Sequence, residues 1–177
     1  MGPFAFRLFG PSRSERDAES LYMAVLAVAR RPGFYGPDRT PDTFDGRFEL
    51  ITAVAALAMM RLKAAPETGR LAQDFADRLF LGLDDALREA GVGDLSVPKK
   101  MKALARRVYG RVQAYADALA DPDPAALADA LARNVWSTDA PPFAPALATW
   151  MRMTAAAFAE AASAVLLDPE SWPPAPR

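Results

Sequence analysis

FYGPDRTPDTFDGRFELITAVAALAMMRLK, residues 34–63, sets a polar loop of prolines and aspartates against a nearly all-apolar run, and this junction decides the fold. Pro37 and Pro41 fix their own backbones and hold Gly36 and Thr40 out of the helical region, so a helix begins no earlier than Asp42. Asp42 or Thr43 offers the capping oxygen. From Leu50 to Met60 no residue is charged, and Leu50, Ile51, Val54, Leu57, Met59 and Met60 point almost all the way round a 3.6-residue period. Such a helix is buried on most sides. At about 1.5 Å per residue the uncharged run reaches only about half of a hydrocarbon core near 30 Å thick. It reads as the centre of a domain, not as a membrane span.

Composition narrows what that domain does. A chain of 177 residues, 51% hydrophobic and 24% charged, is long enough to bury one core. It contains no cysteine and no histidine. Disulfides, thiolate chemistry and the commonest general base and metal or haem ligand are therefore missing; proton transfer would fall to Asp, Glu, Lys or Tyr. The absence of cysteine is compatible with a reducing compartment. The net charge of -1 conceals an asymmetry: residues 1–120 carry eighteen basic and fifteen acidic side chains, and residues 121–177 carry three and seven. A weakly acidic whole argues against a general nucleic-acid binder and leaves room for a local basic face.

Working outward, punctuation by proline and glycine divides the chain into helices. Ser14 with Asp17 approximates a capping box and predicts a first helix over 15–30, ended by Pro32 and Gly33. The buried helix covers 43–65, and Pro66 breaks it. A third, with Leu71, Phe75, Leu79, Leu83 and Leu87 on one stripe, runs over 68–90 until Gly91 supplies a left-handed end. A fourth begins near Ser96, with Pro98 in its first turn, and continues to Ala120. Asp121-Pro-Asp-Pro leads into a short helix ending near Val135, and a last, alanine-rich helix covers 145–167. The expectation is an all-α, single-domain bundle of about six helices: a flexible segment 1–13, a core 14–120, C-terminal helices 121–167 packed on it, and an irregular proline-rich tail 168–177. The first ten residues are interrupted by Arg7 and lack a signal-peptide core, and Phe6 stands where myristoylation needs Ser or Thr. Phe4, Phe6, Leu8 and Phe9 are expected to fold back on the core or fray.

The fourth helix is the most informative surface. Between Ser96 and Gln113 it carries Lys99, Lys100, Lys102, Arg106, Arg107 and Arg111 and no acidic residue, while Val97, Met101, Leu104, Val108, Val112 and Tyr115 fill the opposite half of the wheel. Like charges at three- and four-residue spacing cost a few tenths of a kcal/mol each, so the pattern suits an acidic partner or an anionic lipid surface. In the loop, Asp45 complements the positive end of the buried helix, Arg47 is placed to pin the preceding residues, and Gly46 permits close packing. Asp84, Asp85 and Glu89 invite comparison with the magnesium-binding aspartates of isoprenoid-type enzymes, but Arg88 stands where that motif needs an acid and no second cluster completes a metal site. No glycine-rich phosphate cradle and no activated nucleophile are present.

The segments FYGPDRTPDTFDGRFELI and FADRLFLGLDDALREAGVGDLSVPKKMKALARRVYGRVQAYADAL together resemble the ubiquinol-cytochrome c chaperone family, the assembly factors of the respiratory complex that oxidises ubiquinol. Tyr35, Pro41-Asp42-Thr43, Asp45-Gly46-Arg47, Gly91-x-Gly93-Asp94-Leu95, Val97-Pro98-Lys99 and Tyr109-Gly110-Arg111 carry the likeness, which spans about residues 21–119. Other members often have histidine in the buried helix; this chain has alanine and apolar residues there, so that feature does not transfer. The final 57 residues show no matching pattern. The resemblance implies a non-catalytic, cofactor-free helical protein that engages newly made cytochrome b. Mitochondrial relatives work with a small partner subunit near the ribosomal exit. The alanine, arginine and proline bias, with no convincing transit peptide, fits a bacterial member in the cytoplasm, acting at the inner face of the membrane. Tyr35, Asp42, Asp45, Arg47, Asp94 and the six basic residues of the fourth helix are the expected partner-binding positions.

Overall fold

The structure, a computed structural model, describes residues 10–93, 96–138 and 141–176. Phe4, Phe6, Leu8, Phe9 and Asp94 lie outside the described residues. Six α-helices follow in order: α1 (Arg13–Ala29), α2 (Phe44–Ala64), α3 (Gly69–Glu89), α4 (Val97–Ala120), α5 (Ala126–Leu131) and α6 (Ala144–Ala159). Among the described residues there is no strand, only an isolated bridge between Tyr35 and Thr40. The fold is all-α, and no described helix is long and apolar enough to cross a membrane.

The uncharged run makes α2 the axis. It packs against α1, α3, α4 and α6, and Leu50, Ala53, Val54, Ala55, Ala56 and Ala58 are fully buried. Alanines let neighbouring helices approach, and the larger aliphatic groups supply burial worth about 1.5–3 kcal/mol each. Thr43 caps the helix, its hydroxyl accepting from the Gly46 N–H at 3.1 Å.

The start of α1 differs from the expected one. Ser12, not Ser14, is the cap, because Glu15 stands three residues on and its carboxylate returns to the Ser12 N–H at 2.8 Å, completing a capping box. Ser14 is left to donate to Asp74 at 2.6 Å, tying α1 to α3. At the far end of α3, Gly91 takes a φ of +79°. The Val92 and Gly91 N–H groups then reach back to the Leu87 and Arg88 carbonyls at 3.1 and 3.0 Å, satisfying two of the orphan acceptors.

The C-terminal part departs most. After α5 the helix widens into a π-turn over Ala132–Trp136. The last long helix stops at Ala159 rather than running to Leu167: past Phe158 its alanines offer little to bury, and Arg61 draws off the Ala161 carbonyl at 3.2 Å. Two 3-10 turns, Ser163–Leu167 and Pro169–Ser171, then lay the chain against α1. Leu166 is fully buried and Trp172 is 2% exposed. The Trp172 indole N–H donates to the Leu166 carbonyl at 3.1 Å, and its ring meets Phe158 edge-on at 4.8 Å. Arg31 donates to the Trp172 and Pro173 carbonyls at 3.3 and 2.7 Å, Arg39 to that of Pro176 at 2.9 Å, and Trp150 to that of Pro173 at 3.2 Å. The described part of the tail is thus clasped through its backbone, beside an open cavity of about 610 Å³.

Candidate partner-binding surface

The loop entering α2 is built on stacked polar contacts. Tyr35 donates its hydroxyl to the Ala29 carbonyl at 2.8 Å, and the Arg47 guanidinium lies over the Tyr35 ring at 5.6 Å. Arg47 also pairs with Asp42, as the sequence suggests. Burial raises the Tyr35 phenol above its ordinary pKa, with Arg47 opposing and Asp42 reinforcing. Gly46 serves the loop rather than a neighbouring helix: a Cβ there would lie 2.0 Å from the Pro41 carbonyl oxygen.

Next along α2, Glu49 is 2% exposed. Arg111 of α4 gives it two hydrogen bonds of 3.0 Å, and Arg107 gives one of 2.7 Å. Arg107 reaches on to Asp45 at 3.3 Å and covers the Phe48 ring at 4.6 Å. The hydrogen bond to Glu49 raises the Arg111 pKa further above its already high value. Two acids four apart on α2 thus meet two arginines four apart on α4. A buried carboxylate in this position needs such donors, since a bare one would cost several kcal/mol.

The six cations of α4 therefore divide. Arg107 and Arg111 lock the helix to α2. Lys99, Lys100, Lys102 and Arg106 are exposed, and among the described residues no carboxylate forms an ion pair with them. The structure brings together Tyr35, Asp42 and Arg47 in one cluster and Asp45, Arg107 and Arg111 in an adjoining one; Glu49 and Phe48, which bind that second cluster, escaped the sequence reading. Their signal was the matched i,i+4 spacing of Asp45/Glu49 and Arg107/Arg111, one acidic pair and one basic pair.

Below this network Tyr115 is fully buried with its hydroxyl lacking a hydrogen bond of ordinary geometry. Elsewhere, Asp84 pairs with Arg88 at 2.7 Å on the surface of α3. Among the described residues no group of three or more acidic side chains is placed to hold a metal ion.

Residues 39–171 match the family model described as Ubiquinol-cytochrome C chaperone. The match takes in most of the C-terminal segment in which sequence reading found no pattern. The crystal structure of the Cbp3 homolog from Brucella abortus superposes with a TM-score of 0.78 at 36% identity, over 93% of this chain and 90% of that one. No curated protein matches.

Proposed function

Because this chain belongs to the ubiquinol-cytochrome c chaperone family, we propose that it is a non-catalytic assembly factor that binds newly made cytochrome b and promotes its incorporation into ubiquinol-cytochrome c reductase. The observation that carries this reading is the surface formed by α4 and the loop before α2, held rigid by Glu49, within the span matched to the family. Tyr35, Asp42, Asp45 and Arg47 shape the loop side. Lys99, Lys100, Lys102 and Arg106 present charge that no ion pair among the described residues neutralises, Arg107 and Arg111 fix its position, and Asp94 belongs to the same set by its place in the sequence. A rigid, positively charged helix meets an acidic segment of a client without losing much order on binding. Such a protein works from the inner face of the cytoplasmic membrane, where its client is inserted.

The test is the reduced-minus-oxidised haem b spectrum of membranes from cells lacking the gene, with quinol-cytochrome c reductase activity alongside. Loss of both, restored by the wild-type gene, is expected. Normal spectra and normal activity would remove the assembly role.

A further inference from the structure

The solvent side of α4 carries Lys99, Lys102, Arg106, Tyr109 and Gln113 at three- and four-residue spacing, all exposed. Tyr109 is 55% exposed and leans on Phe80 of α3, ring centroids 5.6 Å apart. Beside it, between the C-terminal half of α2 and the N-terminal half of α3, lies an open depression of about 370 Å³. Met59, Leu62, Ala72 and Ala76 contribute its apolar lining, and Lys63 stands on its edge. That volume is at the small end of the range of about 300–1,000 Å³ in which proteins receive apolar groups.

Among the described residues lining the depression Lys63 is the charged one, and from Tyr109 the cations Arg106, Lys102 and Lys99 lead away along the solvent side of α4. Of the α3 acids, Asp84 is paired with Arg88 at 2.7 Å and Asp77 lines a separate cavity facing α1. Lys63, Lys99, Lys102 and Arg106 form no ion pair among the described residues. An apolar recess at one end of a cationic stripe is the counterpart of an amphipathic helix that carries apolar residues at one end and acidic residues along the rest. A bilayer surface is a poorer complement, because the apolar atoms are recessed and lipid attachment needs them to protrude.

We propose that this groove receives an amphipathic helix of a protein partner, its apolar face in the depression beside Tyr109 and its acidic residues against Lys99, Lys102 and Arg106. The inference rests on the assembly reading only for where that partner is found.

The test uses the full-length protein and two fluorescent helical peptides with one shared apolar face, one flanked by glutamate and the other by lysine. The glutamate peptide should bind about tenfold or more tightly than the lysine peptide, since like charges facing each other are strongly disfavoured. The exposed pair Lys102→Glu/Arg106→Glu should invert that order, and Tyr109→Ala should weaken the glutamate peptide about fivefold. Equal affinities, or affinities indifferent to these variants, would overturn the proposal. So would flotation with anionic vesicles while neither peptide binds, which would assign the charge to lipid. Peptide discrimination alongside a normal haem b spectrum in cells lacking the gene would sink the assembly role and leave the groove standing; loss of haem b without discrimination would do the reverse.

Discussion

Arg111 on α4 holds the buried carboxylate of Glu49 on α2 with two hydrogen bonds of 3.0 Å. Removing the acid strands Arg111, 24% exposed, and leaves Arg107, 37% exposed, with only its longer contact to Asp45 at 3.3 Å. Breaking one side of a buried pair costs about 3–5 kcal/mol, and partial exposure of the arginines brings the expectation to about 2–3 kcal/mol for Glu49→Ala. Replacing the whole network by Glu49→Leu/Arg107→Met/Arg111→Met should cost less than the single change. Urea denaturation of both variants checks the order, and a triple variant weaker than Glu49→Ala would refute it.

Exposed cations should behave differently. Charge reversal of Lys99, Lys102 and Arg106 together is expected to leave stability within about 1 kcal/mol, because none has a carboxylate partner among the described residues. The same variant should fail to restore haem b in cells lacking the gene. Arg111→Glu, by contrast, should unfold the protein. Circular dichroism melts beside complementation separate the two groups.

Gly46→Ala is expected to cost about 1–3 kcal/mol, because its methyl carbon would meet the Pro41 carbonyl, a backbone atom with no rotamer to escape into. Loosening that contact should also free Arg47 from Asp42. Quenching of a fluorophore placed on the loop, together with the melting temperature, reads both effects.

Alkaline pH offers a test of the core. Burial, then the nearby Glu49, pushes the Tyr115 phenol well above its ordinary pKa, with Asn134 and Arg111 opposing. The folded state therefore keeps a proton that the unfolded chain releases near pH 10. Stability from the neutral phenol is complete below that pH and falls above it by about 1.4 kcal/mol per pH unit. Tyr115→Phe should flatten most of the decline between pH 10 and 11, leaving the smaller slope due to Tyr35, whose pKa is also raised. An unchanged slope would show that the phenol is not buried as described.

Trp172→Ala is expected to cost about 3–5 kcal/mol, the range for a buried aromatic, because the indole is 2% exposed and anchors the segment after α6. Near-UV circular dichroism should lose the contribution of its edge-on contact with Phe158.

The legible features were those that side-chain chemistry prints into sequence. Pro37, Pro41, Pro66 and Pro98 with Gly91 placed helix boundaries because each restricts or frees the backbone. The charge-free run of α2 announced its burial. Ser12 was passed over because Ser14 also has an acid three residues on, and only the structure shows which serine leaves the helix. Glu49 was hidden by lying just outside that run, so its burial required knowing which face of α4 came to meet it. The clasp on the tail was illegible for a different reason: Arg31, Arg39 and Trp150 recognise backbone carbonyls, which every sequence presents equally.

That clasp also has a tempo. Arg31 waits for Pro173, a partner 142 residues downstream, and synthesis at about 5–20 residues per second puts on the order of ten seconds between them. Until then the end of α1 has no occupant for its guanidinium, and truncated translation products are left with an open seam along their first helix. Closure of that seam therefore couples the folding of the first helix to the arrival of a segment 142 residues later.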